Sequence, residues 1–146
     1  MTDEELVAKR LAFIETCLRE LAQLARPADL ATDIREQRFV EHTLQLSIQA
    51  ALDVAAHIVS EERLGEPTTN RELFDRLARA GWIGRELADR ISNMAGFRNI
   101  LVHGYTDVDL AIVQDVLANH LGDLDAYVSA IRAGLGHAPS RSAGLP

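Results

Sequence analysis

The sequence predicts an all-α domain, an up-and-down bundle of about five helices with a mobile C-terminal tail. Three observations carry that expectation. Aliphatic residues recur every three or four positions over long stretches, the period of a helix with one buried face. No stretch alternates apolar and polar residues convincingly, as a half-buried strand does. The pairs Arg26-Pro27 and Glu66-Pro67, with Gly65 and Gly81, fall between the periodic stretches, where such residues end helices. A length of 146 residues with 47% hydrophobic side chains is enough for one core. That core is aliphatic, because the chain holds one Trp, two Tyr and four Phe. Residues 1–133 are read as a single bundle domain and 134–146 as the tail.

The elements follow in order. Val7, Leu11, Ile14, Leu18, Leu21 and Ala25 recur at 4-3-4-3-4 spacing, so a first helix spans about 3–25 and stops before Pro27. Cys17 lies among its apolar positions, a small buried hydrophobe rather than a nucleophile. A long second helix runs from Asp29 or Asp33 to Leu64, with Phe39, Val40, Leu44, Ile48, Ala51, Leu52, Ala55, Ile58 and Val59 inward and Gly65 to close it. Asp53 and His57 are four apart on this helix, either as a surface pair or as support for a cleft.

Thr69-Asn70-Arg71-Glu72 has the capping-box spacing and starts a short third helix, with Leu73, Phe74, Leu77 and Ala80 buried and Gly81 as its stop. Trp82 follows in the connector, as a plug against the bundle end or, less simply, as a base-stacking platform. The fourth helix begins near Gly84 and turns Leu87, Ile91, Met94, Ala95, Ile100 and Leu101 inward. Gly96 inside it costs about 1 kcal/mol against Ala, which points to a close backbone approach. After N-cap candidates in Thr106-Asp107-Val108-Asp109, a fifth helix carries Leu110, Val113, Leu117, Leu121, Leu124, Val128 and Ile131. From Gly134 the periodicity ends.

Charge narrows the function. A net charge of −7 argues against a general nucleic-acid coat, which needs a broad basic surface. Its distribution is uneven, however. Residues 71–105 hold six arginines (Arg71, Arg76, Arg79, Arg85, Arg90, Arg98) against Glu72, Asp75, Glu86 and Asp89, a local +2 that leaves −9 elsewhere. A local basic cleft fits inside an acidic total, although helix-surface pairs such as Glu86 with Arg90 account for most of these arginines. The scattered histidines and single cysteine match no metal-ligand spacing, so neither metal nor cofactor is expected. No run reaches membrane-span length and the start Thr2-Asp3-Glu4-Glu5 is unlike a leader, so a cytoplasmic protein without membrane contact is expected.

The chemically capable stretch is Arg98-Asn99-Ile100-Leu101-Val102-His103-Gly104-Tyr105. It combines a permanent cation, a group that titrates near neutrality and a phenol. Arg98 and Tyr105 are seven apart and share a helix face, whereas His103, five from Arg98, sits about 140° round. One regular helix cannot converge all three. Either the helix loosens near Gly104 or a second copy supplies the missing group. An inert arrangement is equally open from the residues alone, with Arg98 paired to an acid, His103 at a helix C-terminus and Tyr105 in the core.

Arg98, Asn99, His103 and Tyr105 fit an R-x4-H-x-Y signature with a polar residue after the Arg, and Gly96-Phe97 precedes it. In its all-helical setting this resembles the HEPN superfamily, and within it the HepT-like toxins, over roughly residues 33–133. The resemblance implies the toxin of a type VII-like toxin–antitoxin pair: a metal-independent endoribonuclease in which Arg98, Asn99 and His103 are catalytic. It also implies a homodimer, RNA as substrate and a minimal nucleotidyltransferase antitoxin that silences the toxin by transferring AMP to Tyr105. The alternative is a non-catalytic helical partner that binds or regulates a nucleotidyltransferase.

Overall fold

A computed structural model of the chain describes the backbone of residues 2–103 and 109–142, with the side chains of residues 2–101 and 109–136. The described residues form six helices and no strand: α1 Glu4–Leu24, α2 Ile34–Glu61, α3 Asn70–Arg79, α4 Arg85–His103, α5 Leu110–Asn119 and α6 Leu121–Ser142, with a 3-10 turn at Pro27–Asp29. The all-α bundle is as expected. At 28 residues, α2 is about 42 Å long by helix rise, and it packs against α1, α3, α4 and α6.

Local chemistry sets the helix starts. Asp3, Asp33 and Asp109 each accept a backbone N–H of the first turn with a side-chain oxygen, satisfying donors that have no partner inside the helix. At α3 the capping box is complete, Thr69 accepting from the N–H of Glu72 while Glu72 accepts from that of Thr69. Gly81 ends this region at φ +85, a left-handed conformation that glycine adopts without a Cβ penalty.

The core forms from the stripes that periodicity marked. Val7, Leu11, Ile14 and Leu21 of α1 meet Leu44, Ile48, Ala51, Ala55 and Ile58 of α2, with Ile91 of α4 and Leu124, Val128 and Ile131 of α6 in the same cluster. Cys17 is buried and burial pushes its thiol up to about 11, so the sulfur is neutral and shielded at pH 7. Tyr127 is also fully buried: its hydroxyl donates to the Ala51 carbonyl oxygen at 2.9 Å and its ring meets Phe74 edge-on at 5.9 Å.

Three expectations need correction. The expected fifth helix is two, α5 and α6, which meet at His120, where the backbone leaves helical geometry at φ −121, ψ −4. At this corner Asp115 accepts from the side chains of Asn119 and His120. Ile100 is 42% exposed rather than inward, because it lies about 60° from the outward line of α4 set by Arg85. Gly96 makes no close approach among the described residues: a Cβ added there meets none of them within 4 Å.

Close approach occurs instead at Gly134, where an added Cβ would lie 2.5 Å from Cε3 of Trp82. Trp82 is buried at 5% exposure, which makes it the plug rather than a stacking platform, and α6 continues past Gly134 to Ser142. Gly134→Ala is therefore expected to lower stability by about 1–2 kcal/mol, because overpacking outweighs the helix-propensity gain. Gly136→Ala, with open space around it, is expected to raise stability slightly. Thermal melts check both signs, and an unchanged or higher Tm for Gly134→Ala would contradict this packing.

Candidate active site

Helix α4 delivers the signature. On its inward side Leu87, Ile91, Met94 and Ala95 are buried, and Arg98 continues that row, since seven residues from Ile91 is two turns. The sequence thus puts a guanidinium where a core residue would otherwise go. Arg98 is half-buried. Its Nε is shielded from solvent and has no hydrogen-bond partner among the described residues. Its Nη1 makes one long contact, 3.4 Å to Oδ1 of exposed Asn99. A buried unsatisfied donor costs about 1–3 kcal/mol, so the arrangement is poised for an anionic oxygen. No acid is paired with Arg98 among the described residues.

The backbone of α4 is helical through His103, so the backbone positions of Arg98 and His103 are about 140° apart round the helix. The His103 side chain, Gly104 and Tyr105 lie outside the described residues. The loosening considered for this helix therefore does not occur before His103. Arg98 and Asn99 are neighbours in contact, and the described part of one chain does not converge Arg98 with His103.

Asp53 and His57 sit elsewhere. They line a hollow of about 220 Å³ with Leu6, Val7, Arg10 and Val54, all from α1 and α2. Asp53 Oδ1 accepts from Nε2 of Gln49 at 2.8 Å. Nε2 of His57 accepts the backbone N–H of Asp3 at 3.1 Å, which needs that nitrogen unprotonated. His57 so ties the start of α1 to α2.

A second polar constellation was not legible as a unit. Asp75 of α3 binds Arg85 at 2.7 Å, Arg79 at 3.0 Å and Arg76 at 3.4 Å. The hydrogen bond from Arg85 holds its carboxyl below the usual carboxylate range, with the other guanidiniums adding to the effect. The four-residue spacing of Asp75 and Arg79 was visible in the sequence. The ten-residue reach to Arg85 was not, because it depends on how α3 turns back on α4.

Comparison with known proteins adds ancestry to this geometry. Residues 14–131 match the profile of a family described as HepT-like, Ribonuclease HepT-like. The mRNA nuclease HepT of Shewanella oneidensis is 32% identical over 130 residues, which span 88% of this chain and 98% of that one. The tRNA nuclease HepT of Aphanizomenon flos-aquae is 36% identical over 130 residues, 88% of each chain. The structure of a tri-AMPylated Shewanella oneidensis HEPN toxin, solved in complex with MNT antitoxin, superposes with a TM-score of 0.81 at 32% identity, covering 91% of this chain and 99% of that one.

Proposed function

The chain belongs to the HepT-like ribonuclease family, and from that premise we propose that it is a metal-independent endoribonuclease, the toxin of a toxin–antitoxin pair with a minimal nucleotidyltransferase. RNA carries its own nucleophile. The ribose 2′-oxygen attacks the adjacent phosphorus, the bond from phosphorus to the 5′-oxygen breaks, and the protein has to move two protons and hold the charge in between. Arg98 neutralises the phosphate, Asn99 donates a hydrogen bond to it or orients His103, and His103 is the acid or the base.

The observation that carries this reading is the half-buried Arg98, set in a core row with a shielded Nε that has no hydrogen-bond partner among the described residues. Its Nε is desolvated before substrate arrives, a condition under which a cation contributes more to a developing charge than it does in water. The test is purified protein with total RNA in excess chelator. Cleavage is expected; intact RNA would overturn the nuclease reading and favour a non-catalytic partner of the nucleotidyltransferase.

The same helix argues for a homodimer. One histidine cannot be both acid and base in a single step, and a regular α4 sets His103 and Arg98 on different sides. A twofold axis that faces two signatures into one cleft supplies both protons and both faces. Exposed Ile100 and uncrowded Gly96 on the same helix leave room for a partner copy. Light scattering at micromolar concentration is expected to give about twice the 16.1 kDa chain mass; a monomer mass throughout would refute the dimer.

A further inference from the structure

We infer that the seam between α1 and α2 is a second contact between copies of this chain, a twofold interface in which Arg10 of each copy pairs with Asp53 of the other. It goes beyond the dimer proposed above, whose axis faces two α4 signatures into one cleft, because it uses another part of the surface and involves no RNA chemistry.

Helix register defines the seam. α1 and α2 run antiparallel, with the backbone N–H of Asp3 meeting His57, and with Val7 and Val54 lining one hollow of about 220 Å³. Leu6 of α1 and Asp53 of α2 line the same hollow. Seven residues make two turns and return a side chain to the same face. Phe13 therefore repeats the placement of Leu6, and Leu46 repeats that of Asp53, in the same direction along the pair. Leu6, Phe13 and Leu46 are 37%, 41% and 37% exposed. Scattered singly, such residues would need no explanation; three along one seam make a patch.

Charge indicates what covers the patch. Arg10 and Asp53 both line the hollow, yet no ion pair joins them. Arg10 makes no hydrogen bond or ion pair among the described residues, and Asp53 meets no cation there. By contrast Arg71, Arg76, Arg79, Arg85, Arg90 and Arg132 each meet a carboxylate. Gln49 holds Oδ1 of Asp53 at 2.8 Å, which orients the carboxylate and leaves Oδ2 for a guanidinium.

An unpaired cation beside an unpaired anion is self-complementary under a twofold axis, because residue i then meets j while j meets i. An axis through the hollow sets each Arg10 against Asp53 of the other copy. It also lays Phe13, one turn beyond Arg10, over exposed Ala56 and the ring of His57, one turn beyond Asp53, in the other copy. The two ion pairs are equal and opposite, so chains that each carry −7 can meet here without adding like charge. A partner of one sign would match only one of the two groups.

Charge reversal with light scattering tests the pairing. At low micromolar concentration wild type is expected as the signature dimer, and on concentration its mass should rise toward about 64 kDa, four times the 16.1 kDa chain. Arg10→Asp and Asp53→Arg are each expected to hold the mass at about 32 kDa, twice the chain mass, because each sets like charges together at both pairs. Mixed in equal amounts, the two variant proteins should rise again toward about 64 kDa, four chains of 16.1 kDa, since each offers the charge the other lacks. The double variant Arg10→Asp, Asp53→Arg should do so alone. Lys9→Glu shifts the net charge as much as Arg10→Asp but lies about 100° round α1, and should behave like wild type. Circular dichroism establishes that each variant is folded.

Single reversals that follow the wild-type mass at every concentration, or a mixture that never exceeds its parents, would overturn the seam contact. If wild type is a dimer and both reversals are monomers, the seam stands and the signature-facing dimer fails. If the reversals keep the wild-type mass but no longer bind the partner nucleotidyltransferase, the seam is a docking face for that protein and the inference is wrong.

Discussion

Arg98→Ala and His103→Ala are each expected to reduce RNA cleavage below detection, together with any growth toxicity, while helicity and Tm stay close to wild type. Losing a positioned acid or base costs about 10²–10⁴ in rate, and losing a cation that stabilises transition-state charge costs about 10²–10³. Stability should hardly respond. Arg98 occupies a core row, yet its Nε has no hydrogen-bond partner among the described residues, so removing it relieves a desolvated donor as well as removing packing. Gels of total RNA and circular dichroism read the two effects separately. Cleavage retained by either pure variant would remove that residue from the chemistry. Mixing and refolding the two inactive proteins adds a sharper result: if Arg98 of one copy acts with His103 of another, mixed dimers recover activity that neither parent shows.

The second large effect concerns Tyr105. Co-expression with the cognate nucleotidyltransferase is expected to add about 329 Da per AMP unit, the mass of the adduct, at Tyr105 and nothing at Tyr127. In that transfer the Tyr105 phenol oxygen attacks the α-phosphorus of ATP, pyrophosphate leaves and the phenol proton is lost. The adduct brings a phosphate charge and a bulky base next to the signature, where they compete with the RNA phosphate for Arg98. Tyr127 is a control with a structural reason behind it. Its hydroxyl is buried and donates to Ala51, and burial raises its pKa well beyond the ordinary phenol value, so it is neither reachable nor nucleophilic. Intact mass and peptide mapping decide the matter. Modification elsewhere, or a Tyr105→Phe protein still silenced by the partner's catalytic activity, would show that Tyr105 is not the switch.

Side chains at helical spacing made the helices legible. Val7, Leu11, Ile14 and Leu21, and the row from Val40 to Val59, went where a 3.6-residue period puts them, because burying one face is the main source of helix stability in a protein. Caps were legible for the same local reason: Thr69 and Glu72 satisfy backbone donors within one turn, whatever the rest of the chain does. The corner at His120 was harder to see, since Leu117, Leu121 and Leu124 continue one stripe across it. The bonds found at it, from Asn119 and His120 to Asp115, look like ordinary surface spacing.

The sequence by itself determined the identities and register of the signature: Arg98, Asn99, His103 and Tyr105, at intervals that a regular helix cannot bring to one side. Only the tertiary structure decided what those intervals mean. Burial of Arg98 depends on α4 having its Leu87-to-Ala95 row against the bundle, and a shielded Nε with no hydrogen-bond partner among the described residues is a property of the surrounding packing that no spacing encodes. Likewise the sequence counted the arginines of residues 71–105, but the turn from α3 to α4 brought Arg85 to the Asp75 carboxylate that Arg76 and Arg79 already meet within α3. Periodicity reports which face of a helix is apolar, whereas long-range contacts fix what that face meets. The chemistry of a site depends on the second of these.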